Sequence, residues 1–274
     1  MRWTRVMMVG TSLALSVFGC NRSKQESHTD ASSAPSAHAE VHWTYTGETG
    51  PDRWGALQAE WSPCGGAGQS PVDIDHTAKS EATDHPVLQI LHRPHVADEV
   101  NNGHTIQVNY TQGDTLRLGS DVYALKQYHF HAPSEHTVRG KRYPMEMHLV
   151  HQADDGRLAV IGVFIEQGAH NKAFDPIWSN LPRTAGGESH LDNVTVDVDQ
   201  LLPRKSAVYR YDGSLTTPPC SEGVKWMVMA TPIQLSADQI GAFRGIIDGN
   251  SRPVQALNGR VVTMDEVQNA VANH

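Results

Sequence analysis

The stretch Gln127-Tyr128-His129-Phe130-His131, followed by Glu146-Met147-His148, decides how this chain folds. Side chains two apart on a β-strand point to the same face. Gln127, His129 and His131 therefore line one side of a first strand, and Glu146 and His148 line one side of a second. Adjacent strands bring the three imidazoles together. A lone His-x-His pair is often polar decoration on an exposed strand, and the chain holds 16 histidines. The apolar neighbours Phe130, Met147, Leu149 and Val150 argue for burial, where polar groups need partners. Three histidines suit zinc, which accepts imidazole nitrogen and in catalytic sites keeps a fourth tetrahedral position for water. A metal-bound histidine usually donates its second ring N–H to an acceptor. Gln127 and Glu146 each stand two residues before a proposed ligand, on the matching face.

The same periodicity extends along the chain. His104 to Tyr110, Val122 to His131, Met145 to Ala153, Leu158 to Ile165, Ala207 to Tyr211 and Val224 to Ala230 are rich in β-branched or aromatic residues and separated by turn formers, which predicts strands. Leu158 to Ile165 is apolar almost throughout; it fits a central strand covered on both faces, and a buried helix segment has the same pattern. One clear helix follows Ser236. Ser236-Ala237-Asp238-Gln239 has capping-box spacing, and Ile240, Phe243, Ile246 and Ile247 recur on one face. Met264 to His274 is expected to form a short amphipathic helix. No repeat, charge block or linker divides the chain after Val41, so one domain over 41–274 is expected.

At 274 residues the chain is long enough to bury a substantial core. Its formal charge of −8 and the lack of a basic, aromatic-interleaved stripe argue against a nucleic-acid partner. Residues 1–20 have the layout of a secretory signal: Arg2 and Arg5, an apolar run from Val6 to Phe18, then small residues. That run falls short of the roughly 20 apolar residues a bilayer span needs. The ending Val17-Phe18-Gly19-Cys20 resembles a bacterial lipoprotein signal with Cys20 as the lipidated residue; a plain signal peptide with an incidental cysteine is the alternative. Residues 21–40 are polar, Ser- and Ala-rich and aperiodic, which predicts a disordered tether with a mean reach of about 25 Å. The expected location is therefore periplasmic or cell-surface, with membrane contact only through the lipid. If Cys20 carries lipid, Cys64 and Cys220 remain as an even pair in an oxidising compartment. They are expected to bond, a bridge worth about 4 to 5 kcal/mol in the chain-entropy model; two buried free thiols are the alternative.

With these residues in view, the chain from about Trp43 to Val261 resembles the α-class carbonic anhydrases. The resemblance rests on Gln69-Ser70-Pro71-Val72-Asp73-Ile74, Asn101-Asn102-Gly103-His104, the Gln-x-His-x-His strand, Ser134-Glu135-His136-Thr137-Val138, Glu146-x-His148-Leu149-Val150-His151 and Gly213-Ser214-Leu215-Thr216-Thr217-Pro218-Pro219. It implies a mainly β domain on a large, twisted, mostly antiparallel sheet with peripheral helices and zinc in a conical cavity. Cys64 and Cys220 match the disulfide positions of bacterial members.

The implied reaction is reversible hydration of CO2 to bicarbonate and a proton by hydroxide generated on Zn2+ held by His129, His131 and His148. By the same resemblance Thr216 accepts from that hydroxide and donates to Glu135, and Thr217 positions bicarbonate. Val150, Val160, Leu215 and Trp226 form the apolar wall against which CO2 rests. His104 matches the family's proton shuttle, and an imidazole titrating near neutrality suits that transfer. Tyr45 and Asn102 match residues that order the intervening waters, and Gln107 stands where many relatives place asparagine.

Two rivals differ in chemistry. A cupin-type metal oxygenase also uses a His-x-His strand with a nearby glutamate, as His129, His131 and Glu135 superficially do, but Tyr123 and Arg142 occupy the places of its glycines. A non-catalytic binding module on the same scaffold would be expected to lack a ligand, whereas all three are present here.

Overall fold

In the computed structural model, which describes residues 41–75, 77–79, 88–91, 94–110 and 115–269, the two histidine segments are neighbouring antiparallel strands. The expected signal, tether and Cys20 lie outside the described residues. In chain order the strands begin with β1 (Asp73–Ile74), β2 (Thr77–Lys79), β3 (Leu88–Leu91), β4 (His95–Asn101) and β5 (Ile106–Asn109). Next come β6 (Thr115–Leu118), β7 (Asp121–His131), β8 (Thr137–Val138), β9 (Met145–Gln152) and β10 (Leu158–Gln167). The last are β11 (Glu188–Val196), β12 (Lys205–Ser214), β13 (Glu222–Leu235) and β14 (Val262–Asn269). Three short helices, α1 (Trp54–Leu57), α2 (Asp175–Trp178) and α3 (Ala237–Arg244), complete the frame. None of the described helices is long and apolar enough to cross a membrane.

Twelve of these strands form one sheet in the order β11-β4-β5-β7-β9-β10-β13-β12-β14-β2, with β6 joining β7 and β3 joining β6. The β10–β13 and β14–β2 pairs are parallel and the others antiparallel. β1 and β8 make a separate parallel pair. The histidine strands β7 and β9 sit mid-sheet, flanked by β5 and β10.

A sequence run cannot by itself say which face of β7 is inward. Tyr123 and Leu125 pack into the main apolar core, and so do Tyr128 and Phe130. The parity changes because the register shifts between Leu125 and Gln127, where Leu125 faces His151 but Gln127 faces Val150. The bulge at Lys126 adds one residue and flips the phase. Gln127, His129 and His131 are thereby released to the opposite face. On β9 no bulge is needed: Met145, Met147 and Leu149 join that core, while Val150, on the face of Glu146 and His148, packs against a second cluster of Val160, Phe164, Tyr211, Trp226 and Val228.

The helix at Ser236 forms with both halves of its capping box: Gln239 N–H donates to Ser236 Oγ (3.2 Å) and Ser236 N–H donates to Gln239 Oε1 (3.1 Å). Such a cap contributes about 1 kcal/mol, less than burying Ile240 and Phe243 at about 1.5 to 3 kcal/mol each. Packing therefore dominates. The helix ends at Arg244, so Ile246 and Ile247 lie in the following turn, both N–H groups bonded to Phe243 O at 2.9 Å. Both still press on the core.

Of the C-terminal helix expected over Met264 to His274, the described part, through Asn269, is instead the end of strand β14, paired antiparallel with β12; 270–274 lie outside the described residues. Asp265 makes the segment look half-polar, yet it is 5 % exposed and ion-paired with Arg210 of β12. The cross-strand cation, distant in sequence, makes a buried acid acceptable here. The predicted strand over His104 to Tyr110 starts later, at Ile106, because 101–105 is a tight turn.

Candidate metal centre

His129, His131 and His148 meet on the face that the bulge exposes. Their ring centroids are 5.0, 5.4 and 4.6 Å apart pairwise, and one ligand atom from each lies within 4.8 Å of the others. The second nitrogen of every ring is engaged. His129 Nδ1 donates to Gln127 Oε1 (2.7 Å), His131 Nδ1 to the Asn250 carbonyl (2.7 Å) and His148 Nε2 to Glu146 Oε1 (3.0 Å). Each acceptor fixes a tautomer, leaving His129 Nε2, His131 Nε2 and His148 Nδ1 as bare lone pairs. Burial holds His129 well below the usual imidazole range, with His131 and His148 adding to the effect. Burial also lowers His131, partly opposed by Glu135. Three converging imidazoles, with His131 Nε2 buried and without a hydrogen bond, form a donor set that could hold a divalent ion.

Glu146 anchors this arrangement. Its Oε2 accepts from the backbone N–H of Glu135 and of His136 (both 2.9 Å), and its Oε1 from His136 Nδ1 (2.8 Å) as well as His148. Burial alone would raise its pKa; His136 and His148 outweigh that and hold it well below the carboxylate range. His136 Nε2 lies 2.6 Å from the Tyr211 hydroxyl, extending the network to β12. Gly162 on β10 makes room: a Cβ there would stand 2.9 Å from Glu146 Oε1.

Glu135 is fully buried and faces the rings, with Oε2 3.5 Å from His131 Nε2 and 3.9 Å from His148 Nδ1. Its Oε1 accepts from the Arg252 backbone N–H at 2.8 Å. Its Oε2 has no hydrogen-bond partner among the described residues, so the expected bond from Thr216 is not made here. Thr216 is buried and Thr217 half-buried in the loop after β12, and Thr217 O accepts from Cys220 N–H at 2.8 Å. Of the residues expected to line the substrate pocket, Val160 and Trp226 belong to the second cluster, with Val150 and Leu215 packed against it and Trp226 4.9 Å from His148.

His104 is half-buried in the turn before β5 and lies flat on Trp43, with centroids 3.6 Å apart and planes 6° apart. Burial lowers its pKa, and His42, stacked at 5.8 Å, lowers it further. Tyr45 stands edge-on to it at 6.5 Å, and burial followed by Glu135 raises the phenol well above its usual range. Asn102 is exposed, and its Oδ1 accepts from the N–H groups of His104 and Thr105 (both 2.9 Å). It therefore caps the turn. Gln107, paired across from His129, donates to Asn109 Oδ1 at 2.6 Å.

The chain matches the family model for eukaryotic-type carbonic anhydrase over residues 49–266. It belongs to the α-class carbonic anhydrase family. A carbonic anhydrase of Nostoc sp. is 40 % identical over 232 residues, covering 84 % of this chain and 88 % of that protein. One of Neisseria gonorrhoeae is 43 % identical over 225 residues, covering 81 % and 87 %. Among solved structures, the α-carbonic anhydrase of Thermovibrio ammonificans in complex with sulfanilamide superimposes with a TM-score of 0.78 at 42 % identity, covering 82 % of this chain and all of that one. The chain is thus an enzyme of a metalloenzyme family that acts on CO2 and bicarbonate, and the cupin and binding-module alternatives fall away.

Three partners of this carbonic anhydrase site are not legible as such from the sequence. Asn250, whose carbonyl orients His131, is 119 residues away in the chain. Arg252 orients Glu135 through its backbone, while its buried guanidinium donates to Gln69 Oε1 and Ser70 O (both 2.8 Å) and Cys64 O (2.9 Å). Burial pushes its pKa down to about 10, against the pull of Glu135. Gly162 had a signal, a lone glycine in an aliphatic run. Cys64 and Cys220 are disulfide-bonded.

Proposed function

We propose that this enzyme hydrates CO2 reversibly to bicarbonate and a proton with Zn2+ held by His129, His131 and His148. The observation that carries this is the set of three tautomer-fixed imidazoles whose bare nitrogens converge. Zinc is favoured over harder ions because every first donor is imidazole nitrogen. Bound there, zinc acidifies water to a nucleophile near neutral pH, behaviour for which carbonic anhydrase is the reference case. Gln127, Asn250 and Glu146 hold the ligand rings in orientation. Val150, Val160, Leu215 and Trp226 offer CO2 an apolar resting place, and Thr217 hydrogen-bonds bicarbonate. Thr216 accepts a hydrogen bond from the attacking oxygen and turns its own proton to Glu135 Oε2, which is free to receive it. His104 takes the released proton and passes it outward along its exposed edge, with Tyr45, Asn102 and Gln107 bordering the water path.

Stopped-flow CO2 hydration with metal analysis tests this. Turnover is expected to vanish on chelation and return with zinc. Turnover that survives metal removal, or that returns with iron but not zinc, refutes the assignment.

We further propose export and anchoring through a lipidated Cys20, supported by the signal layout of residues 1–20 and the polar stretch 21–40. Intact mass of the protein from membranes is expected to show a diacylated Cys20 at the mature N-terminus; an unmodified N-terminus elsewhere refutes it.

A further inference from the structure

The His104 turn and the metal strand are separate stretches of chain, and one buried side chain spans them. Asn250, 2 % exposed, lies in the segment between α3 and β14. Its Nδ2 donates to His104 O (3.0 Å) and to Phe130 O (2.9 Å), and its Oδ1 accepts from Ala132 N–H (2.8 Å). A carboxamide offers two donor hydrogens and an acceptor oxygen, so both donors and the acceptor are committed to backbone. Two of the three bonds bracket His131, and the third holds the carbonyl of His104 itself. Of the turn's other supports, the Asn102 cap acts within the turn, and Asn101 ties its start to the 182–187 segment, with Nδ2 donating to Pro182 O (3.0 Å) and O accepting from Gly186 N–H (2.7 Å); neither reaches the strand of His129 and His131. Thr105 Oγ1 adds a parallel tie to Phe130 O at 2.5 Å. Among the described residues no hydrogen bond or ion pair anchors the His104 ring, which packs on Trp43, His42 and Tyr45, so its location follows its backbone and that stack.

We propose that the Asn250 side chain is a positioning residue for proton transfer: it sets the distance between the His104 imidazole and the metal-ligand strand. This rests on His104 as the proton shuttle. A proton relayed through water depends on the number and order of the waters, so a turn free to drift changes the relay while the ligand set stays in place. The carbonyl that orients His131 is main chain and survives a side-chain substitution.

The test compares Asn250→Ala, His104→Ala and the double variant, each with zinc content measured. In weak buffer Asn250→Ala is expected to lower turnover by up to about a hundredfold, the scale of a one-ångström misplacement, and no further than His104→Ala does. Added imidazole is expected to restore most of it, and the double variant to be no slower than His104→Ala. Loss that imidazole does not rescue, or that adds to His104→Ala, overturns the proposal, as does unchanged turnover. Proton NMR gives a readout independent of catalysis. The His104 ring protons, identified by their disappearance in His104→Ala, are expected to be shifted upfield by Trp43 and to move back in Asn250→Ala; retention of the shift overturns the proposal. If His104→Ala leaves weak-buffer turnover intact, the shuttle assignment fails, and the NMR shift alone then decides whether Asn250 places the turn. Should the alanine variant not fold, Asn250→Asp, which keeps the acceptor for Ala132 and loses both donated bonds, serves in its place.

Discussion

Glu99 on β4 is fully buried, and neither carboxylate oxygen has a hydrogen-bond partner. Burial pushes its pKa from 4.5 up to about 8. Between those two pH values the folded chain keeps a proton that the unfolded chain releases. Stability is therefore undiminished by this group below pH 4.5 and declines as pH rises toward 8, where the folded state ionises too. The slope is about 1.4 kcal/mol per pH unit, and the full interval amounts to at most about 5 kcal/mol. Glu99→Gln removes the titration while keeping the shape. Urea unfolding of the zinc-loaded protein and the variant at pH 5, 6, 7 and 8, with the disulfide intact, measures the difference. The variant carries its own offset from an unpaired amide, so the informative quantity is the change in the difference with pH. Its advantage over the parent is expected to grow by several kcal/mol from pH 5 to 8. Parallel pH curves would refute the claim that Glu99 is neutral in the fold.

Other expectations concern the site and its frame. Glu146→Gln leaves His148 and the 135–136 backbone with a weaker acceptor, and chelator competition is expected to show zinc held about 10- to 100-fold less tightly. His104→Ala is expected to slow hydration about tenfold or more in weak buffer, with partial rescue by imidazole in the same assay. Its lowered pKa places the loss of proton-accepting capacity at the acid end of the pH–turnover profile, below the usual histidine range. Cys64→Ser/Cys220→Ser opens a bridge across a separation of 156 residues, and denaturant unfolding is expected to show about 5 kcal/mol less stability by the chain-entropy relation.

Much of the site was legible because its parts are local repeats. Gln127, His129 and His131, like Glu146 and His148, are spaced by two, and strand geometry turns that spacing into a shared face. The capping box at Ser236 is legible for the same reason, being complete within four residues. β14 is not legible as a strand because the cation that makes Asp265 buriable stands on another strand. The turn-capping part of Asn102, whose oxygen accepts from two amides of its own turn, has no counterpart in the spacing of the sequence.

The sequence by itself determined which three imidazoles could hold a metal, which two acceptors back them, and that a sheet carries them, since each depends on spacing within one strand. Only the tertiary structure decided which way that strand faces, because the bulge at Lys126 reverses the parity by a backbone step that leaves no residue signature. It also decided that Asn250, Arg252 and Gly162 complete the site: contacts across more than a hundred residues, or across two neighbouring strands, form only once the chain has closed and burial forces each polar atom to find a partner.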